Sequence, residues 1–107
     1  MSGFDKRREG FEAKFALDAE LKFKARARRD KMLGLWAAEK LGLTEAAAEE
    51  YAREVTRADL QEPGDADVVR KLMRDFAAHG VPITDAQIRQ EMDRLLSVAS
   101  QQVAPPT

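Results

Sequence analysis

Residues 11 to 41 read FEAKFALDAELKFKARARRDKMLGLWAAEKL, a basic segment that becomes apolar toward its end and contains the only tryptophan. The C-terminal end of this segment has an apolar helical surface suited to a core, made of Leu33, Leu35, Trp36, Ala37, Ala38 and Leu41. Six cations lie within the ten residues before it: Lys22, Lys24, Arg26, Arg28, Arg29 and Lys31. The pattern predicts one long helix whose last third is anchored in a core, with Trp36 as its largest anchor.

The composition favours a small all-α domain. The chain has 107 residues, of which 35% are charged and 7% aromatic, a balance typical of surface-rich helices. With no cysteine, neither a disulfide framework nor a thiolate metal site is available. No apolar run approaches the roughly 18 residues of a membrane span, so we expect a soluble protein without membrane insertion.

The charge is unevenly distributed along the chain. Residues 1 to 31 hold ten Lys and Arg against six Asp and Glu, a net charge of +4, so the remaining residues carry −5. A basic end on an acidic body suits a terminal arm that binds a partner. It also argues against the whole protein being a nucleic-acid binder.

Apolar spacing and turn residues predict four helices, at about 18–41, 45–61, 66–79 and 85–103. Gly42 and Gly80 suit the positions after two helix ends, and Thr44 and Asp65 suit helix starts. Thr84 and Gln87 stand in capping-box relation at the start of the fourth helix. Because the connections are short, we expect an antiparallel four-helix bundle over residues 18–104. Residues 1–17 are predicted to be a mobile arm, and residues 105–107 a frayed tail.

Three phenylalanines, Phe4, Phe11 and Phe15, recur in the predicted arm at spacings of seven and four. On a helix this spacing places the rings on one side. The rings either fold back onto the bundle or bind a partner, and the many charged residues between them favour the partner. The cationic run from Lys22 to Lys31 has three interpretations: a solvated helix face, a contact with an acidic protein, or a nucleic-acid site. No recognition-helix motif supports the last.

Catalytic chemistry finds little support. His79 is the only histidine, beside Gly80 at a predicted helix end, where an imidazole that is solvated or contacts a carbonyl is expected. Acidic pairs such as Asp65 and Asp67 are explained by the helix dipole. No phosphate-binding loop or metal motif of a helical bundle occurs. We therefore expect neither an enzyme nor a bound metal or cofactor.

The chain resembles a known family over about residues 4 to 100. The resemblance is carried by the FxxKF, LGLWAAEKLGL and EPGD stretches, together with YAREV and IRQEMDRLL. They are similar to the zeta subunit, the inhibitor of the F-type ATP synthase in alphaproteobacteria. The resemblance implies a four-helix fold whose N-terminal segment enters a catalytic alpha/beta interface near the gamma shaft and blocks rotation in the hydrolysis direction.

Carried over to this chain, the resemblance makes Met1 to about Leu17 the inhibitory arm. By residue type we assign Phe4, Phe11 and Phe15 as apolar anchors and Lys6, Arg7, Arg8 and Lys14 as charge contacts, with Lys22 and Arg26 as further partner-binding residues. The expected partners are the alpha, beta and gamma subunits. The protein would be cytoplasmic, peripherally attached to the membrane through the synthase, and monomeric when free. The alternative is a helical adaptor or vestigial synthase subunit that does not inhibit.

Overall fold

The structure, a computed structural model, describes the backbone of residues 2–61 and 64–104 and the side chains of residues 18–61 and 64–104. It contains four α-helices: α1 (Ser2–Lys40), α2 (Glu45–Gln61), α3 (Ala66–Ala78) and α4 (Asp85–Val103). No strand occurs in these ranges. The predicted all-α, four-helix fold is confirmed.

The first helix differs from the prediction at its start. We expected stable helix from about residue 18, whereas α1 begins at Ser2. The side chains assigned to the arm lie outside the described residues: Phe4, Lys6, Arg7, Arg8, Phe11, Lys14 and Phe15. The tail 105–107 lies outside them too. The mobility of the arm and the fraying of the tail therefore stay predictions.

The helices form a closed ring of contacts. α1 packs against α2 and α4, and α3 packs against the same two helices, so each helix has two main neighbours. One buried apolar cluster draws on all four helices: Leu33, Ala37, Ala38, Tyr51, Val55, Val68, Val69, Leu72, Phe76, Ile88, Met92 and Leu95. The bundle arises because each helix presents one apolar stripe to this shared core.

The end of α1 enters the core largely as predicted. Leu33 and Ala37 are fully buried, whereas Trp36 is half-buried and packs edge-to-face on Phe76, with ring centroids 5.9 Å apart. Phe76 is therefore the largest fully buried side chain, in place of Trp36. Leu35 was expected on the apolar surface but is 38% exposed.

Local hydrogen bonds explain most helix ends. Gly42, with φ +78°, follows α1, where Leu43 N donates to Ala38 O at 2.8 Å. Gly80, with φ +68°, ends α3 in the same way. This arrangement satisfies the last carbonyls of a helix and requires a left-handed backbone, which glycine adopts without a Cβ clash.

The start of α4 is a capping box, as its sequence predicts. The Thr84 hydroxyl accepts from Gln87 N at 3.1 Å, and Thr84 N donates to the Gln87 side chain at 2.9 Å. At α2, Thr44 contributes its carbonyl oxygen, which accepts from Ala47 N at 3.1 Å.

A close approach of α1 and α2 depends on Gly34. A Cβ atom at Gly34 would lie 2.5 Å from the Cα of Ala52, which is backbone and cannot move aside independently. The two helices therefore meet at a contact that only glycine permits, against the small side chain of Ala52.

We predict that Gly34→Ala lowers the free energy of unfolding by about 1–3 kcal/mol, because the added methyl group overpacks this contact. Helix propensity alone would change stability in the opposite direction, by up to about 1 kcal/mol. Urea unfolding followed by circular dichroism measures the difference. An increase in the unfolding midpoint would show that the helices do not meet this closely.

Candidate functional site

The predicted cationic run divides between solvent and the bundle interior. Lys22 and Lys31 are exposed, and Arg28, also exposed, donates to the Gln102 side chain of α4 at 2.5 Å. In contrast, Arg29 is only 3% exposed, and Arg26 also points toward α2. The solvated-face interpretation is thus wrong for Arg29, because burial of its side chain is matched by carboxylate partners.

Those partners form an ionic cluster of Arg26, Arg29, Asp30, Asp59 and Asp65. Arg26 binds Asp59 with two hydrogen bonds, from Nε at 2.7 Å and from Nη2 at 2.6 Å. Arg29 Nη2 donates to Asp30 at 2.9 Å and to Asp65 at 3.1 Å. The cluster therefore joins the middle of α1 to the end of α2 and to the residue that precedes α3.

Asp65 has a different role from the one predicted. It stands at the N-cap position of α3, but its side chain makes no capping hydrogen bond. The carboxylate accepts from Arg29 instead, since a hydrogen bond between two charged groups is stronger than one to a neutral backbone amide.

The ionic cluster contains three carboxyl groups and only two guanidinium groups. Burial, together with a hydrogen bond to Asp59, raises the pKa of Asp30 from near 3.8 to about 7, although Arg29 opposes the shift. Burial also acts on Asp59, but hydrogen bonds with Arg26 and Asp30 hold its pKa below the ordinary value. Near neutral pH the Asp30 carboxyl is therefore partly protonated, which partly offsets the missing cation.

Of the two partner-binding residues predicted within the described side chains, Lys22 is exposed and Arg26 is half-buried. Arg26 keeps 41% of its side chain exposed, yet Asp59 occupies both its Nε and Nη2. If Arg26 contacts a partner, it does so while it also pairs with Asp59 in the same chain.

The inference from sequence missed Asp59 and the burial of Arg29. A signal was present, because Asp59 follows Val55 by four residues and so continues the apolar stripe of α2. Arg29 likewise precedes Leu33 by four residues on α1. A charged residue at a core position on each of two neighbouring helices indicates a buried ion pair.

The sole histidine lies at the end of α3, in the part of the chain that the structure describes. His79 is exposed, and its Nδ1 lies 2.9 Å from the carbonyl oxygen of Asp75, as expected for a helix end. Residues 18–61 and 64–104 contain no group of three side chains placed to hold a metal ion. Among the described helices, none is long and apolar enough to cross a membrane.

Comparison with known proteins assigns this helical bundle to a family. A family model matches residues 1–102 and places the chain in the class of ATPase inhibitor subunits. Within that class the chain belongs to the zeta subunit family. The resemblance drawn from its sequence motifs is confirmed.

A solved structure has the same fold. It is a solution NMR structure of a protein that is 41% identical, covering 77% of this chain and 93% of that one, with a TM-score of 0.68. A search of curated proteins found no significant match.

The buried charge of the ionic cluster predicts a pH-dependent stability. The pKa of Asp30 is higher in the folded than in the unfolded chain. The stabilising contribution of Asp30 to the free energy of unfolding is therefore complete below about pH 4 and is lost as pH rises through about 7. We expect Asp30→Asn, which keeps a neutral hydrogen-bonding group, to be more stable than wild type at pH 8 by roughly 1–3 kcal/mol. At pH 4.5 the two proteins should be nearly equal.

Urea unfolding between pH 4.5 and 8.5 tests this, since Asp59 and Asp75, whose pKa values are lowered, stay ionised there. Equal pH profiles for the two proteins would contradict a protonated Asp30.

Removing a cation from the ionic cluster should also be costly. We predict that Arg29→Met destabilises the protein by about 3 kcal/mol at pH 8, because buried carboxylates lose their partner. The loss should be smaller at pH 5, where Asp30 is protonated. The neighbouring Arg28→Met is the control, with an expected change below about 0.5 kcal/mol at an exposed position. Similar losses in both variants would contradict the burial of Arg29.

Proposed function

We propose that the chain inhibits ATP hydrolysis by the bacterial F-type ATP synthase. The observation that carries the proposal is the family match over residues 1–102, which includes the whole predicted arm as well as the bundle. In this proposal residues 1–17 insert as a helix at a catalytic alpha/beta interface, reach toward the gamma shaft and block rotation. The inhibitor contributes no chemistry, so it is a subunit and not an enzyme.

The described part of α1 supports a division between arm and bundle near residue 18. Asp18, Ala19 and Glu20 are exposed, Leu21 is half-buried, and Ala25 is 4% exposed. A small hollow between α1 and the end of α4 is lined by Leu21, Ala25 and Val103, among others. The bundle therefore contacts α1 from about Leu21 onward, which agrees with an arm that ends before residue 18.

The arm residues act by two kinds of contact. Phe4, Phe11 and Phe15 are apolar anchors, each contributing about 1.5–3 kcal/mol on burial in the partner. Ordering a flexible segment costs about 2–5 kcal/mol, so three rings suffice to offset it. The cations Lys6, Arg7, Arg8 and Lys14 pair with acidic groups at the interface, and exposed Lys22 extends that contact.

The bundle raises the effective concentration of the arm. Once the bundle docks outside the catalytic interface, entry of the arm becomes an intramolecular step. The ionic cluster contributes by fixing α1 to α2 and to the α2–α3 turn. The arm therefore extends from a helix whose position in the bundle is fixed. The complex would lie at the cytoplasmic membrane surface through the synthase.

The test is the rate of MgATP hydrolysis by the cognate ATPase head with increasing amounts of the full-length chain. We expect wild type to inhibit. The double variant Phe11→Ala, Phe15→Ala should raise the concentration for half-maximal inhibition at least tenfold, because two anchors are lost, while circular dichroism stays unchanged.

Full binding to the head without a fall in hydrolysis would instead indicate a non-inhibitory adaptor or vestigial subunit. Equal inhibition by the double variant would show that the arm is not the inhibitory element. Loss of its helix content would place those two rings in the core.

A further inference from the structure

An open groove runs between α1 and α2 beside the ionic cluster. One end is a hollow of about 440 Å³ lined by Phe23, Ala27, Thr56 and Leu60, together with members of the ionic cluster. The other end, about 560 Å³, is again lined by Ala27 and Thr56, with Lys31 of α1 and Glu49, Ala52, Arg53 and Arg57 of α2. Because the two hollows share Ala27 and Thr56, they form one continuous groove, here called the α1–α2 groove.

The first end of the α1–α2 groove is unusually apolar for a surface. Phe23 is 63% and Leu60 65% exposed, and both line the same hollow. Among the described residues only one other large hydrophobic side chain, Leu35, is exposed. A single exposed apolar side chain needs no explanation, but two that line one hollow form a patch of the kind that contacts a partner.

The residues that line the floor of the groove follow helical spacing on α1. Along α1, Phe23, Ala27 and Lys31 follow at intervals of four residues, so they lie on one face over about 12 Å. Their counterparts on α2 include Thr56 and Leu60. Small side chains in the centre with large ones at the ends allow a third helix to approach the floor closely.

The second end of the groove is cationic. Lys31 is exposed, and Arg53 and Arg57 keep 65% and 63% of their side chains exposed, although each pairs with Glu50. Glu49 also lines this end, so the three cations exceed the two acids by one charge. Arg57 lines the adjoining hollow too, which is lined further by Arg70, Lys71 and Arg74 with Glu54 and Asp67. Residues 32–107 carry a net charge of −5, so this positive surface contrasts with the rest of the bundle.

Charge also decides between possible occupants. Residues 1–17 hold four cations and three acids, a net charge of the same sign as the groove, so the chain's own arm is a poor occupant. An acidic partner is favoured, and apolar side chains on the same partner helix would cover Phe23 and Leu60. Position supports this choice, since Phe23 lies only about 9 Å along α1 from Leu17, where the proposed arm ends.

We propose that the α1–α2 groove binds an acidic, amphipathic helix on the outer surface of the inhibited ATPase, next to the place where the arm enters. The proposal rests on the proposed function for the identity of the partner. The arm supplies inhibition, whereas the groove supplies affinity. Loss of groove binding should therefore raise the concentration needed for half-maximal inhibition. The maximal inhibition at saturating protein should stay unchanged.

The decisive variant is Phe23→Ser with Leu60→Ser in the full-length chain. We expect the concentration for half-maximal inhibition to rise at least tenfold, equivalent to ~1.4 kcal/mol of binding free energy, with maximal inhibition unchanged. Arg53→Glu should shift it in the same direction, and the shift from wild type should shrink as salt is raised. Leu35→Ser is the matched control, because Leu35 is exposed on the same helix but lines neither hollow, and it should behave as wild type.

Three results would overturn the proposal. An unchanged half-maximal concentration in the Phe23→Ser, Leu60→Ser variant would show that the groove is not the docking site. The same shift in Leu35→Ser would show a general effect of surface polarity. If wild type sediments as a dimer and the double variant as a monomer, the occupant is a second copy of the chain.

Direct sedimentation with the ATPase head separates this proposal from the proposed function. Groove-dependent binding without inhibition would reject the inhibitory arm and support the groove. Inhibition that needs the arm but not the groove would reject the groove alone.

Discussion

The pairing of Arg26 and Arg29 with Asp30, Asp59 and Asp65 is the constraint on which the arrangement of α1 depends. Removing charges from water is costly unless each finds a well-placed partner, so a rotation or sliding of α1 would leave charges buried and unpaired. The ionic cluster thus fixes which side of α1 meets α2. Through the ionic cluster, the contacts between α1 and the rest of the bundle continue beyond the apolar core, toward the segment that we propose to be inhibitory.

The same constraint determines which residues α1 presents to solvent. With Arg26 and Asp30 turned toward α2 and the α2–α3 turn, Phe23 and Ala27 lie at the edge of the α1–α2 contact and line the groove. Gly34 allows the two helices to come close further along. In our two proposals, one helix therefore carries three successive parts: an arm for inhibition, a face for docking and an end that packs in the core. This arrangement couples the position of the arm directly to the surface that would bind the ATPase.

The parts of the fold that sequence predicted are those that depend on neighbouring residues. Gly42, Gly80 and the Thr84–Gln87 capping box act through hydrogen bonds within a few residues, so their effect is visible in the local sequence. The apolar stripes of α3 and α4 follow from helical periodicity in the same way. Predictions made from a single residue type were weaker. Asp65 was expected to cap α3 but pairs with Arg29 instead, and the two roles cannot be distinguished before the position of Arg29 is known.

By itself, the amino-acid sequence determined the all-α class, four helices, the basic N-terminal end and the motifs that the zeta subunit family shares. Only the tertiary structure decided that Arg29 is buried, that burial raises the pKa of Asp30, and that Phe23 and Leu60 line one groove. The reason is distance along the chain. Arg26 and Asp59 are 33 residues apart, and their meeting depends on how two helices rotate about their axes, which no local pattern encodes.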